Sequence, residues 1–327
     1  MSSTNGTAAT AAPSRRRFGL NVGLRDAGTL FGLVAIVVVF GVLSPNFLTK
    51  PNLLNILQQS SINACVALGM TLVIIAGGID LSVGPTAAIA AVVAAVLMAA
   101  GAPIVVAIPV ALLFGLAAGA LNGVLVAYGG LQPFIVTLGT LSLYRAVALI
   151  YTGGNPIFGI PPGFRALFNT SLFGIPNAVV IVAVLALVIW VVLNKTPLGE
   201  YFLAVGGNAE ASHIAGVPVA MTKIASYGIS GGLAAVAGLI LVGRLGAADP
   251  TLGNLWELDA IAAAAVGGAS LMGGKGSVVG TLLGAIILGS LRNGLTLLNV
   301  QAFYQLLATG LIIIAAMLID RATRGRE

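Results

Sequence analysis

Charged side chains are scarce in this sequence. Asp, Glu, Lys and Arg make up 7% of its 327 residues, against about 25% in an ordinary soluble domain. So few charges cannot clothe a water-facing surface, which excludes a conventional soluble fold. Cysteine is down to one residue, Cys65, so no intrachain disulfide and no cysteine metal cluster can form. Histidine is also single. His213 stands in a polar stretch and Cys65 in an apolar one, which argues against a Cys/His nucleophilic dyad. Nothing points to a Ser/Lys pair. Between positions 27 and 194 the only acid is Asp80. A nucleotide-binding loop is missing as well: around Lys275, Ala269 stands where its first glycine belongs, and Gly276 stands where Ser or Thr must follow the lysine. The formal net charge is +6. The basic residues gather at the termini and in a few loops, the pattern of topology signals rather than of a nucleic-acid surface.

What is abundant is hydrocarbon. Hydrophobic residues make up 58% of the chain and its mean hydropathy is +1.08. A membrane helix needs about 20 apolar residues, and apolar segments follow one another at 27–43, 53–76, 85–100, 104–128, 134–151, 178–194, 224–243, 258–272, 278–297 and 303–319. The expected fold is therefore all-α: a polytopic integral membrane helical bundle of about ten transmembrane helices. Residues 1–25 are polar and basic, with the composition of a disordered cytoplasmic tail. Arg15, Arg16 and Arg17 resemble a twin-arginine export signal, but no small-residue cleavage site follows and many spans do. They are read as an anchor for the first helix. Residues 26–320 form the membrane domain and 321–327 a cytoplasmic tail.

The orientation follows from lysine and arginine. With the N-terminus inside and spans alternating, Arg15, Arg16, Arg17, Arg25, Lys195, Lys223, Lys275, Arg321, Arg324 and Arg326 fall on the cytoplasmic side. Lys50, Arg165 and Arg244 fall outside, and Arg145 and Arg292 lie within spans. That bias places both termini in the cytoplasm. Two long connections remain. Residues 152–177 are external and carry Pro156, Pro161, Pro162 and Pro176, which oppose a continuous helix. Residues 195–223 are cytoplasmic.

Three polar constellations interrupt the apolar mass. Asn52, Asn55, Gln59 and Asn63 recur at spacings of three, four and four, so they line one face of the second helix. Amides on a solute pathway can hydrogen-bond hydroxyl groups; amides between helices fix packing at about 0.6 kcal/mol per contact. Both readings stand, and Asn52 can also cap the helix beside Pro51. The second constellation is Gly77-Gly78-Ile79-Asp80-Leu81-Ser82-Val83-Gly84-Pro85. It reads as a break at the membrane edge, with Asp80 or Ser82 capping the next helix; the sharper reading is an ion or proton site. Residues 273–280 share Gly, Gly, Val and Gly with 77–84, which hints at an internal repeat. In the third, Asn208 suits an N-cap, Ala209 to Ala215 a short helix and Gly216 its end.

At this point the chain resembles a family. Ser44-Pro45-Asn46-Phe47-Leu48, Asn52 through Gln59, Gly78-Ile79-Asp80-Leu81-Ser82-Val83-Gly84, Glu257-Leu258-Asp259-Ala260-Ile261-Ala262-Ala263, Gly273-Gly274-Lys275-Gly276 and Asn293-Gly294-Leu295 are similar to segments of ribose-type permeases. These are the membrane subunits of sugar-importing ABC transporters, in the branched-chain amino acid/sugar permease family. The resemblance covers nearly the whole chain. It implies a multi-pass permease of the inner (cytoplasmic) membrane that carries a monosaccharide, ribose-like or related. It also implies a second permease copy, identical or paralogous, a cytoplasmic ATP-binding subunit and a periplasmic sugar-binding protein as partners. The chain would not itself be an enzyme, and no cofactor or metal is expected. Asn55, Gln59 and Asn63 would line the pathway; Asn208, Glu210, His213 and Gly216 would meet the ATPase; Gly78, Asp80, Ser82 and Gly84 would form a structural motif. The alternative is an ion-coupled secondary transporter of a small polar solute, which would need membrane acids as a relay.

Overall fold

The computed structural model describes residues 24–324; the tail at 1–23 and the last three residues lie outside the described residues, and with them nearly all of the segment expected to be disordered. Thirteen helices and one small hairpin are described. They are α1 (Leu24–Leu43), α2 (Lys50–Ile75), α3 (Val83–Ala99), α4 (Ile104–Ala127), α5 (Pro133–Thr152), α6 (Pro162–Asn169), β1 (Ser171–Leu172), β2 (Ile175–Pro176), α7 (Asn177–Lys195), α8 (Pro197–Gly207), α9 (Ala209–Ile214), α10 (Val219–Leu245), α11 (Trp256–Val266), α12 (Val278–Leu297) and α13 (Ala302–Arg324). Six of these, α2, α4, α5, α7, α10 and α12, are long and apolar enough to cross a membrane, and shorter apolar stretches lie in α1, α3 and α13.

Local chemistry sets the helix starts. Pro51, Pro133, Pro162 and Pro197 occupy the first turns of α2, α5, α6 and α8, where a missing N–H costs nothing. The connections depart from the sequence expectation in three places. The segment 152–177 contains α6 and the β1–β2 hairpin, with Ser171 paired to Pro176 and Leu172 to Ile175. The segment 195–223 contains α8 as well as the expected short helix α9. The expected span 258–272 is shorter, because α11 stops at Val266 and Gly267 and the left-handed Gly268 (φ 85°) turn the chain.

Packing is built on small residues. α2 forms the centre: from Ser60 to Ile75 nearly every residue is buried, against α10, α11 and α12. Gly115, Gly119 and Gly123 of α4 lie against the backbone of α10. A Cβ on Gly119 would run into the Tyr227 carbonyl, and one on Gly123 would lie 2.5 Å from the Ile224 Cα. Gly69 meets Ser230 and Gly238 meets Ala87 in the same manner. With little hydrophobic drive between helices in lipid, such close backbone approach is the main source of cohesion. The two glycine strings likened in the sequence lie side by side. Gly77 (φ 83°) and Gly273 (φ 92°) both adopt the left-handed conformation, and a Cβ on Gly273 would sit 3.1 Å from the Gly77 Cα.

The Asp80 segment requires a correction. It is not an edge cap. Asp80 is 1% exposed and Ser82 wholly buried. The Asp80 carboxylate accepts from the Ser82 N–H (3.0 Å), the Ser82 hydroxyl (2.7 Å) and the Ser230 hydroxyl (3.1 Å). Ser230 lies well inside α10, so α3 begins in the interior. Ser82 holds the N-cap position of α3 without a side-chain cap bond; its hydroxyl serves Asp80 and accepts from Asn122 Nδ2 at 2.8 Å. Gly78 and Gly84 are spatial necessities here. A Cβ on Gly78 would strike the Tyr227 hydroxyl, and one on Gly84 the Gly253 carbonyl.

Candidate functional site

The amide stripe of α2 divides in two. Asn52 is a packing residue and not a cap: α2 begins two residues earlier, and Asn52 and Asn293 exchange a reciprocal pair of amide hydrogen bonds, each 2.9 Å, between α2 and α12. One turn on, Asn55 Oδ1 accepts from Gln59 Nε2 at 3.0 Å. Gln59 and Asn63 then open onto a cavity of about 230 Å³. Its other polar walls are Ser60, Arg244 near the end of α10, Trp256 and Asp259 at the start of α11, and Arg292 of α12.

The cavity is held on rigid elements. Arg292 forms a bidentate ion pair with Asp259: Nη1 donates to Oδ2 at 2.6 Å and Nη2 to Oδ1. Arg292 Nη2 also reaches Thr309 of α13 at 3.4 Å. That pair fixes α11 against α12 and leaves the Arg292 side chain 39% exposed. Trp256 follows Leu255, which is held at φ 62°, an uncommon conformation for a bulky residue, and this turn aims the first residue of α11. Behind Trp256, Arg145 Nη1 donates to the carbonyls of Pro250 (2.6 Å) and Leu252 (2.8 Å), which ties the connection before α11 to α5. Ser60 is 2% exposed and its hydroxyl has no partner among the described residues.

Amide groups, an arginine and an indole around a small void suit a polyhydroxylated solute. Amides and guanidinium bond hydroxyls, and the indole offers an apolar face for the C–H side of a ring. The volume lies below the about 300–1,000 Å³ typical of pockets for drug-sized ligands, as fits a monosaccharide. A second cavity, of about 310 Å³, lies among α3, α4 and α5. Its lining from Ile89 to Tyr151 is apolar apart from the tyrosine hydroxyl, so it lacks that chemistry.

Sequence reading alone found Gln59 and Asn63 but passed over Arg244, Trp256, Asp259 and Arg292. A signal was available: Asp259 and Arg292 both fall within expected spans, and ionisable residues there seek each other or a solute path.

The other site residues lie elsewhere. Asn208 caps α9, its Oδ1 accepting from Ala211 N at 2.9 Å, and Gly216 turns the chain at φ 84°. Glu210, His213 and Ile214 are exposed, Ile214 to 82%, while Ser212 faces inward. α9 follows α8, whose end touches the last residue of α2. From Asn63 to Ile75 is about 18 Å along the helix axis, so the cavity, beside the middle of α2, stands well away from the end of the helix that α8 touches. Among the described residues no group of acids, histidine and cysteine is placed to hold a metal ion.

Residues 52–317 match the family described as the branched-chain amino acid transport system / permease component. The chain belongs to that family. The permease is 45% identical over 316 residues to the ribose import permease protein RbsC of Escherichia coli K12, covering 94% of this chain and 97% of that one. It is 42% identical over 300 residues to the RbsC of Bacillus subtilis (91% and 93% covered), and 41% identical over 296 residues to the D-allose transport system permease protein AlsC of Escherichia coli K12 (90% and 91%). No solved structure matches significantly. The permease is a multi-pass integral protein of the bacterial inner membrane. Its kinship favours the transport-system subunit over the ion-coupled secondary transporter.

Proposed function

We propose that this chain is the membrane-spanning subunit of an ATP-driven importer, and that it carries a monosaccharide through the cavity bounded by α2, α10, α11 and α12. The cavity carries this reading: Gln59, Asn63 and Arg244 face one void with hydrogen-bonding capacity to spare, beside Trp256 and the Asp259–Arg292 pair. Relatives named for ribose and D-allose import support the solute class. The chain crosses the membrane about ten times with both ends in the cytoplasm, which puts the cavity in the outer half and α9 on the inner face. There a separate ATP-binding subunit meets Glu210, His213 and the bare Ile214, so this chain hydrolyses no ATP itself. A second permease copy lies beside it, and a periplasmic sugar-binding protein delivers the solute from outside.

The test is uptake of radiolabelled ribose and allose into proteoliposomes holding the complete transporter. Uptake should require ATP, ATPase and binding protein together. Uptake that persists without the ATPase and collapses with an uncoupler would overturn this function.

A further inference from the structure

Between the short helix α9 and the cavity, α8 meets the inner end of α2 and the α11–α12 loop at one close backbone contact. Gly206, in the last turn of α8 and two residues before the Asn208 cap, lies flat against the backbone of two other elements. A Cβ there would strike the Ile75 carbonyl at the end of α2 and come within 2.7 Å of Gly274 N. The two elements it touches are themselves bonded: Gly274 N donates to the Ile75 carbonyl at 2.9 Å. A Cβ on Gly273 would lie 2.6 Å from the Gly206 carbonyl oxygen, and one on Gly274 would lie 3.2 Å from the Gly207 N and Cα. The 270–275 loop is closed on itself, with Ser270 N donating to the Lys275 carbonyl (3.0 Å) and Gly273 N to the Ser270 carbonyl (2.9 Å). Further along, Thr71 of α2 and Thr281 of α12 share a 2.7 Å hydroxyl bond. A chain of backbone contacts and buried hydrogen bonds has few soft degrees of freedom, so displacement at one end is transmitted rather than absorbed.

The destinations of this chain give it a role. α2 carries Gln59 and Asn63, α12 carries Arg292, and the loop through Gly273 and Gly274 joins α12 to α11, which carries Trp256 and Asp259. These are three of the four helices around the cavity. We propose that Gly206 is a rigid positioning joint: it fastens α8 and the α9 docking helix to the inner ends of α2 and the α11–α12 loop, so that movement imposed on α9 moves three cavity walls as one body. The joint rests on the functional reading above. It adds that coupling between ATP hydrolysis and transport depends on a glycine that touches neither ATPase nor solute.

The experiment uses the complete transporter in proteoliposomes, with ATP hydrolysis and ribose uptake measured together. Gly206→Ala should keep assembly with the ATPase and keep hydrolysis, while uptake per ATP falls about tenfold or more, the size of an ordinary coupling free energy. Gly207→Ala, whose added methyl meets nothing within 4 Å, should behave as wild type. A Gly207→Cys/Gly274→Cys pair takes its own reduced form as the baseline, because Gly274 stands at φ 74°; oxidised to a disulfide across the joint it should transport as well as when reduced, because a rigid joint loses nothing on being locked. Normal uptake per ATP in Gly206→Ala overturns the joint. So does a disulfide that stops uptake until dithiothreitol restores it, which would make this point a hinge. If Gly206→Ala fails to assemble, the disulfide pair alone decides. A wild-type transporter that takes up no sugar with ATP and both partners sinks the functional reading, and the joint with it.

Discussion

A buried or half-buried polar side chain in a membrane protein needs a partner, and the partners separate residues that look alike in sequence. Asn52 and Asn63 are both amides on one face of α2. Asn52 spends its capacity on Asn293, whereas Asn63 faces the cavity. Replacing Gln59 or Asn63 with Ala should raise the half-saturating sugar concentration about threefold to tenfold, the value of one hydrogen bond, with thermal stability little changed. Asn52→Ala should do the reverse, lowering the melting temperature in detergent without altering apparent affinity. If both groups of variants change only stability, the stripe is packing throughout. Asp80 is a different case, because its carboxylate is the common acceptor for Ser82 N–H, Ser82 Oγ and Ser230 Oγ. Asp80→Ala strands three buried donors and should cost about 1–3 kcal/mol or more, measured as a fall in melting temperature. A melt unchanged from wild type would mean that water replaces the carboxylate.

Helices are joined here by where glycine lies rather than by how many glycines there are. Gly119 lies on the Tyr227 backbone, while a Cβ on Gly139 of α5 would meet nothing within 4 Å. Gly119→Val should therefore push α4 from α10 and destabilise by about 1–3 kcal/mol, while Gly139→Val should be tolerated; equal melting temperatures for the two would defeat this account. Among the elements, the ones legible in the sequence were those set by local signals. The Asn208 cap and the left-handed Gly216 each act within a few residues. The interiority of Asp80 was not legible, because Ser230 lies 150 residues from Asp80 and Asn122 40 residues from Ser82, and local pattern favoured a cap. α8 left a faint trace in Leu198, Phe202 and Val205, apolar at helical spacing and packed inward, but the segment is too polar for a span and read as a connection. The shortness of α11 was hidden because composition cannot distinguish an apolar helix from an apolar turn around Gly267.

For the molecule as a whole, the sequence carried the fold class and two of the polar residues of the cavity, Gln59 and Asn63, because apolar mass and amide spacing are written locally. Arg244, Trp256, Asp259 and Arg292 come from three helices that meet only in the folded chain. Orientation is a property of the entire molecule and rests on the lysine and arginine bias. On the proposed orientation the β1–β2 hairpin lies outside and α9 inside. Cys65 makes this testable, because the sole cysteine is wholly buried and bonded to the Leu233 carbonyl, so it should stay silent toward aqueous maleimides. In intact cells, with the permease expressed without its partners, Leu172→Cys should react with a membrane-impermeant maleimide and Ile214→Cys should not. Both positions are half or more exposed, so permeabilisation should bring Ile214→Cys to the level of Leu172→Cys. The opposite pattern would invert the chain, place α9 outside and remove it from any cytoplasmic ATPase. Labelling of both before permeabilisation would mean that the count of crossings between the hairpin and α9 is even rather than odd. Since α7 is the one long apolar helix between them, that result would mean that α7 does not cross.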